Sequence, residues 1–390
     1  MKIAYFVHNL EDPAVAKRVA MLRAGGADVT LLGFYRGEAA SAPHPDVKTF
    51  SLGRTYDARF AQRIGKVLQN LARVGRLKPA LAGVDVILAR NLEMLALASA
   101  ARRLVAPAAS LVYECLDVHQ LMLAGGRVGT VMRSLERRLM AGVALLVVSS
   151  PAFIREYFKP RQDLGGRLQT PWRLVENKVY GGADADRVNR PAPGPPWKIG
   201  WFGAIRCARS LDILTDLARR RPDLADVTVR GRPSYTEFED FDAQTRATTA
   251  LRFGGPYRPE ALPALYGNMH FTWAIDYFEA GANSSWLLPN RIYEGGLHGC
   301  VPVAVAGVET SAWLARHDLG VILDKPTDIE AMLEGMTTAR YEALSARAGS
   351  APASLFRADQ EECRGLVAAL AEAGRTTAKR GLALNVEAAG

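Results

Sequence analysis

Short apolar runs alternating with helical stretches, twice over in one chain, constrain the fold more than any other feature of this sequence. Lys2–His8, Asp28–Phe34, Val84–Ala89, Ser110–Leu116, Leu145–Ser149 and Arg173–Glu176 are rich in β-branched residues and apolar almost throughout. Strands buried on both faces of a parallel sheet have this composition, whereas strands with one solvated face alternate. Among them stand the helical stretches Ala14–Ala24, Leu92–Leu104, Val128–Met140 and Pro151–Phe158. A second series, Lys198–Phe202, Asp226–Val229, Ala250–Phe253, His270–Ile275, Val301–Ala304 and Gly320–Leu323, repeats the pattern. The run Pro191-Ala192-Pro193-Gly194-Pro195-Pro196 can neither continue a helix nor pair within a sheet, so it is expected to be a linker. The expectation is an α/β protein with domains at 1–188 and 197–355, a Pro-rich linker at 189–196, and a C-terminal helix and tail at 356–390, frayed from Thr376 onward. Two such sheets would form a cleft at their strand C-termini, where open α/β sheets bind ligands.

Composition bounds the function classes. The 390 residues, 49% of them hydrophobic, suffice for two cores. A formal charge of +9 invites anionic partners. Nucleic acid is disfavoured, because the basic stretches lack interleaved aromatics and no reader motif is present. Cys115, Cys207, Cys300 and Cys363 are widely spaced and form no C-x-x-C pair, which predicts a reducing, cytoplasmic setting without disulfides. His8, His44, His119, His270, His298 and His317 show neither H-x-x-x-H nor H-E-x-x-H spacing, so no protein-built metal site and no cofactor are expected. Met1-Lys2-Ile3-Ala4-Tyr5 enters a strand pattern at once, without room for a signal peptide. No apolar run approaches the ~20 residues of a bilayer span. Two basic helical stretches are expected at 54–78 (Arg54, Arg59, Arg63, Lys66, Arg73, Arg76, Lys78) and 127–140 (Arg127, Arg133, Arg137, Arg138). Apolar residues accompany both, so each suits peripheral contact with an anionic inner membrane, and each equally suits a solvated face.

One run carries chemistry more clearly than the rest: Leu288-Pro289-Asn290-Arg291-Ile292-Tyr293-Glu294-Gly295-Gly296-Leu297-His298-Gly299-Cys300-Val301-Pro302-Val303. Pro289 suits a first helical turn and Gly299 a left-handed exit, so a helix over Pro289–His298 should lead into a buried strand. Its N-terminal amides offer partial positive charge, and Glu294 is a lone carboxylate that could hold a polyol there. The run resembles the donor-binding signature of the GT-B glycosyltransferases, in particular the family 4-like nucleotide-sugar enzymes that build bacterial polysaccharides. In that family the glutamate of a "P-N-K/R-x-x-E-x-x-x-x-G-x-P-V" run grips the donor ribose. The resemblance implies two Rossmann-like domains, an N-terminal acceptor domain and a C-terminal donor domain. It also implies donor contacts at Asn290, Arg291 and Glu294.

Other segments are assigned beside this run. Gly200-Trp201-Phe202-Gly203-Ala204-Ile205-Arg206-Cys207-Ala208-Arg209 ends a strand with a glycine and two arginines, where a backbone and planar guanidinium forks can meet phosphate. The family commonly has "G-R-x-x-x-x-K-G" there; Arg209 falls on the lysine position, and Arg206 is the substitute for the missing first arginine. Gly255 and Tyr257 lie in a strand-to-helix turn where relatives hold the nucleobase, and Tyr257 could stack on it. Trp286 stands where many relatives carry a further glutamate, with Asp276 and Glu279 as the nearest stand-ins.

In the first half, Leu111-Val112-Tyr113-Glu114-Cys115-Leu116-Asp117-Val118-His119 leads a buried strand into polar groups. Asp117 is the candidate general base if transfer inverts, and His119 the group that hydrogen-bonds the donor sugar or shares the proton. His8, Asn9, Arg90 and Asn91, at two further strand ends, are candidate acceptor contacts. Ala14 replaces the arginine usual after the Asp12-Pro13 turn, leaving Asp12 as a helix cap. "Y-F-V-H", "Y-E-C-L-D-V-H" and "S-S-W-L-L-P-N-R-I-Y-E-G-G" together look like glycosyltransferases of succinoglycan-type exopolysaccharide assembly. The resemblance implies transfer of a hexosyl or uronosyl group from a nucleotide sugar, UDP-linked by type, to a lipid-linked oligosaccharide. A non-catalytic nucleotide-sugar-binding regulator on the same scaffold is the alternative.

Overall fold

The computed structural model describes residues 1–37, 46–56, 60–181 and 190–387; His44, Arg59 and position 189 lie outside them. The chain divides into two compact units. Unit 1 comprises Met1–Glu176 and Asp359–Gly390, and unit 2 comprises Asn177–Ala358.

Unit 1 holds a seven-stranded parallel sheet. Its strands are β1 (Lys2–Val7), β2 (Asp28–Tyr35), β3 (Lys48–Arg54), β4 (Val86–Arg90), β5 (Ser110–Cys115), β6 (Leu145–Val148) and β7 (Trp172–Leu174), in the order β3-β2-β1-β4-β5-β6-β7. Every residue of β4, β5 and β6 is buried, which is why their sequences are nearly uninterrupted apolar runs. The edge strand β3 had no such run: Lys-Thr-Phe-Ser-Leu-Gly-Arg buries little, and the sequence reading assigned no strand there. Asp12 caps the Pro13–Ala24 helix by accepting from the Ala14 amide at 2.9 Å.

Unit 2 holds a six-stranded parallel sheet. Its strands are β8 (Trp197–Ile205), β9 (Ala225–Pro233), β10 (Leu251–Phe253), β11 (Phe271–Trp273), β12 (Val301–Val305) and β13 (Val321–Leu323), in the order β10-β9-β8-β11-β12-β13. All six were anticipated by the second series of apolar runs. Trp197, Trp201, Trp273 and Val301 lie in its core. In both sheets the strand order reverses beside the first strand, between β1 and β4 and between β8 and β11, and such switch points open a crevice at the strand C-termini.

Two expectations about organisation change. The chain passes between units at Glu176–Asn177 and again at Ala358–Asp359, and the proline run belongs to unit 2. His270 accepts from the Lys198 amide through Nδ1 at 2.9 Å, and its Nε2 donates to the Ala192 carbonyl at 3.0 Å; this fastens the run to the start of β8. Prolines keep the run out of a sheet without making it an interdomain tether. A helix spans Gln360–Glu387, and the chain from Asp359 onward belongs to unit 1. Cys363 and Val367 close over Gly25 so tightly that a β-carbon there would stand 2.3 Å from the Cys363 carbonyl oxygen. The basic helix expected at 54–78 is instead the end of β3, a helix at Phe60–Ala72 and a short 3-10 turn at Val74–Leu77.

Candidate functional site

The C-terminal ends of β1, β4 and β5 meet around a cavity of about 160 Å³ in unit 1. His8, Asn91, Asp117 and His119, all singled out from sequence, line it together. So do Arg36, Arg63, Glu93, Tyr113 and Glu136, which sequence reading gave no place in a site. Arg36 and Glu93 were findable, since each lies just beyond a strand; Tyr113 and Glu136 were not, since one sits in an apolar run and the other among arginines.

Local chemistry explains the shape. Asn91 joins β4 to the Leu92–Leu104 helix with φ 68° and ψ 165°, a left-handed-side conformation that costs a non-glycine residue about 1–3 kcal/mol. Its Oδ1 is buried without a hydrogen-bond partner, and its Nδ2 lies 3.5 Å from His8 Nδ1. Burial holds His8 below its ordinary pKa against the opposing charge of Asp12, whose Oδ2 is 3.8 Å from His8 Nε2. His8 is therefore neutral at neutral pH. Asp117 and His119 are exposed at the rim; His119 Nδ1 accepts from the Leu121 amide at 3.2 Å, which leaves Nε2 as the ring's other nitrogen. Arg63 and Glu93 pair at 3.3 Å across another part of the wall.

Two acceptor candidates do not reach this cavity. Arg90 is 1% exposed and lies in the layer behind it. Its Nε donates to Glu114 Oε2 at 2.9 Å, its Nη2 to the Ala14 carbonyl at 3.3 Å, and its guanidinium covers the Tyr5 ring at 5.5 Å. Glu114 also accepts from Arg18 Nε at 2.7 Å and from the Tyr5 hydroxyl at 2.5 Å. Burial pushes Glu114 up, but Arg90 and Arg18 prevail and hold it at about 2. Arg90 thus stabilises the sheet–helix layer, because the last residue of a buried strand turns inward as readily as outward. Asn9 accepts from the Glu11 amide at 3.2 Å as part of the turn after β1, and is not in the cavity wall.

In unit 2 the helix spans Asn290–Leu297, with Pro289 as N-cap and Gly299 at φ 68° supplying the exit. Glu294 is thus its fifth residue, one turn past the N-terminal amides. Glu294 is half-buried and accepts from the Tyr266 hydroxyl at 3.2 Å. Arg291 is a clamp: Nε donates to the Phe202 carbonyl at 2.7 Å and Nη2 to the Ala204 carbonyl at 3.0 Å, tying the helix to the end of β8. Gly203, between those carbonyls, has φ 111°. Asn290 Oδ1 accepts from Asn177 Nδ2 at 2.6 Å.

Arg206 and Arg209 lie against consecutive aromatics beyond β11. Arg206 covers Phe278 at 4.8 Å and pairs with Asp276 at 3.3 Å; Arg209, in the first turn of the Ala208–Arg220 helix, covers Tyr277 at 4.4 Å. Asp276 partly neutralises Arg206, whereas Arg209 is exposed. Glu279 accepts from Asn283 Nδ2 at 2.7 Å within its own loop. Tyr257 packs edge-on against Phe202 with ring centroids 6.3 Å apart, and burial together with the Glu294 charge raises its hydroxyl pKa. Gly255, at φ 70°, offers its carbonyl to Arg230 Nε at 3.0 Å. The β8 end therefore gathers a carboxylate, a guanidinium, the buried Tyr266 and the half-buried Tyr257.

No family model matches the chain. It is 44% identical over 381 residues to the succinoglycan biosynthesis protein ExoL of Rhizobium meliloti (strain 1021), an alignment covering 95% of this chain and 93% of that protein. The chain belongs to the ExoL family. Its fold is GT-B, the fold of solved glycosyltransferases that superpose over nearly its full length. Anabaena HepE in complex with UDP-glucose matches with a TM-score of 0.67 at 15% identity, over 94% of this chain and 98% of HepE. The apo lipopolysaccharide outer core galactosyltransferase WaaB matches with a TM-score of 0.64 at 14% identity, over 95% of this chain and all of WaaB. Membership in the ExoL family and the GT-B fold agree with the resemblance read from the Leu288–Val303 run.

Proposed function

We propose that this ExoL relative transfers a hexosyl or uronosyl group from a UDP-sugar to a hydroxyl of a lipid-linked oligosaccharide during exopolysaccharide assembly. The observation that carries the proposal is Glu294, held by Tyr266 beside the β8 end, with Arg209 exposed in the first turn of the helix that follows β8. A carboxylate is acceptor-only and suits the paired hydroxyls of a ribose; a guanidinium suits the diphosphate. The complex of HepE with UDP-glucose supports a uridine donor.

In the mechanism, unit 2 holds the donor. Arg209, with the free face of Arg206, neutralises the leaving diphosphate without a metal or other cofactor, Tyr257 stands by the base, and Asn290 and Gly203 border the phosphates. Unit 1 holds the acceptor against His8 and Asn91. In an inverting reaction, Asp117 takes the proton from the acceptor hydroxyl as its oxygen attacks the anomeric carbon and the bond to the diphosphate breaks. His119 hydrogen-bonds the transferred sugar. UDP release, followed for a panel of UDP-sugars with a lipid-linked acceptor, tests this reading; no release with any member overturns it.

A lipid-linked acceptor places the enzyme at the cytoplasmic face of the membrane, and unit 1 carries a suitable surface. On the Gly126–Met140 helix, Val128, Val131 and Leu135 share one face at 59, 65 and 42% exposure, with Arg127 and Arg138 exposed along its edge. Arg133 and Arg137, which sequence grouped with these, are engaged inside the unit. Arg133 Nη1 donates to the Met122 and Ala124 carbonyls at 2.8 and 3.0 Å, and Arg137 Nη2 to the Arg161 carbonyl at 2.8 Å. No helix among the described residues is long and apolar enough to cross a membrane.

A further inference from the structure

Past the end of β8, the segment Arg206–Ser210 is stitched to Ile275–Phe278, which follows β11. Ser210 Oγ donates to the Ile275 carbonyl at 3.3 Å. The Tyr277 amide donates to Cys207 Sγ at 3.2 Å, and the same sulfur accepts from the Ser210 amide at 3.4 Å. Arg209 covers Tyr277, and Arg206 covers Phe278. The backbone of each segment is thus held by bonds in which the Arg206 guanidinium has no part. Arg206 itself is tied to this loop by a weaker bond. Its Nη2 donates to Asp276 Oδ2 at 3.3 Å, one hydrogen bond and not a two-pronged pair, while Asp276 Oδ1 accepts from the Phe278 amide at 2.9 Å. The Asp276 side chain is 9% exposed and that of Arg206 34%, so a fixed, largely buried carboxylate faces a guanidinium that is partly open to solvent.

We infer that Asp276 competes with the donor's diphosphate for Arg206. The carboxylate holds the guanidinium in the empty site, gives it up when the diphosphate binds, and takes it back as UDP leaves. The inference rests on reading unit 2 as the donor site. A guanidinium meets a phosphate through two parallel N–H bonds to an anion of higher charge, whereas it meets Asp276 through one, so the diphosphate wins the exchange. Only a side chain has to turn, with the Phe278 ring as a face on which the guanidinium can rest while its fork moves. Breaking a half-exposed ion pair whose carboxylate is mostly buried costs about five- to tenfold in an equilibrium. UDP-sugar and UDP bear that cost alike, so Asp276 shortens the stay of the product without acting on the chemical step.

Titration calorimetry of the full chain with UDP tests this, with uridine as the probe that lacks a diphosphate. Asp276→Asn removes the charge and keeps an oxygen for the Phe278 amide. It should bind UDP about five- to tenfold more tightly than the wild type, and uridine within about twofold of it. Asp276→Ser, whose hydroxyl can also accept from that amide, should show the same gain. Arg206→Gln should bind UDP more weakly than the wild type. Adding Asp276→Asn to it should change its affinity by less than about twofold, because no guanidinium is left to compete for. Absence of a gain in both Asp276 variants overturns the inference. An equal gain in the Arg206→Gln background, or an equal gain for uridine, also overturns it, since Asp276 would then repel the phosphates or shape the pocket directly. A wild type that binds no UDP removes the donor reading and this inference with it. UDP binding that neither Asp276 variant improves leaves the donor reading standing and removes this inference alone.

Discussion

Replacing Glu114 by glutamine should cost unit 1 about 3–5 kcal/mol, because the variant leaves the buried Arg18 without its counter-charge and the buried Arg90 with only Asp12, 3.9 Å away. Arg18 is 3% exposed and Arg90 and Glu114 are 1% exposed each, so solvent screens the cluster little. A second route gives a similar figure. Glu114 sits at about 2 in the folded chain, and an unfolded glutamate near 4.3; the difference of a little over two pKa units corresponds to about 3 kcal/mol. The sign follows from the depressed folded value. The stabilisation is complete above about pH 4.3, where the unfolded chain is also ionised, and is lost as pH falls through that value toward 2. Urea unfolding followed by a probe confined to unit 1 should therefore show a lowered midpoint for Glu114→Gln at neutral pH, with the gap to wild type closing on acidification. A two-unit chain need not unfold in one step, so the comparison belongs to the unit 1 transition. A variant within about 0.5 kcal/mol of wild type at pH 7, or a gap independent of pH, would refute the assignment of Glu114 as the anchor of this layer.

At the donor side, Glu294→Ala should weaken UDP binding by about 10- to 100-fold in calorimetry, the loss of one or two charge-assisted hydrogen bonds, and Tyr266→Phe should have a smaller effect in the same direction. Asp117→Asn should lower kcat by about 10²–10⁴-fold with donor KM little changed, as for a lost general base; wild-type turnover would remove it from that role. In flotation with anionic vesicles, the double change Arg127→Gln and Arg138→Gln, or Val131→Asp alone, should release the protein. Arg133→Gln should instead show up as lost thermal stability, and equal release by all three would mean that net charge rather than this helix face governs binding.

The strands were legible because burial on both faces leaves little choice but apolar residues, which is why all six strands of unit 2 and six of the seven in unit 1 were anticipated. β3 was not, since an edge strand with Lys48, Ser51 and Arg54 exposes what a central strand must bury. Within the sites, residues following strands could be ranked by chemistry, and His8, Asn91, Asp117 and His119 did converge. Direction could not be read: Arg90 and Asn91 are neighbours, and one faces the buried layer while the other lines the cavity. Arg291 was expected from its motif to be a donor contact, and its geometry is that of a clamp on two carbonyls. Glu136 was invisible because Tyr113, Tyr157 and Gln162, which hydrogen-bond it, come from three separate elements.

The helix at Gln360–Glu387 has a consequence for biogenesis. Unit 1 is assembled from the first 176 residues and the last 32, so a ribosome delivers its closing segment only after all of unit 2. Vectorial synthesis usually lets the leading domain mature first. Here the leading domain must wait, with the groove beside Gly25 uncovered, and a stop codon near the 3′ end of the message would damage the half of the protein that was translated earliest.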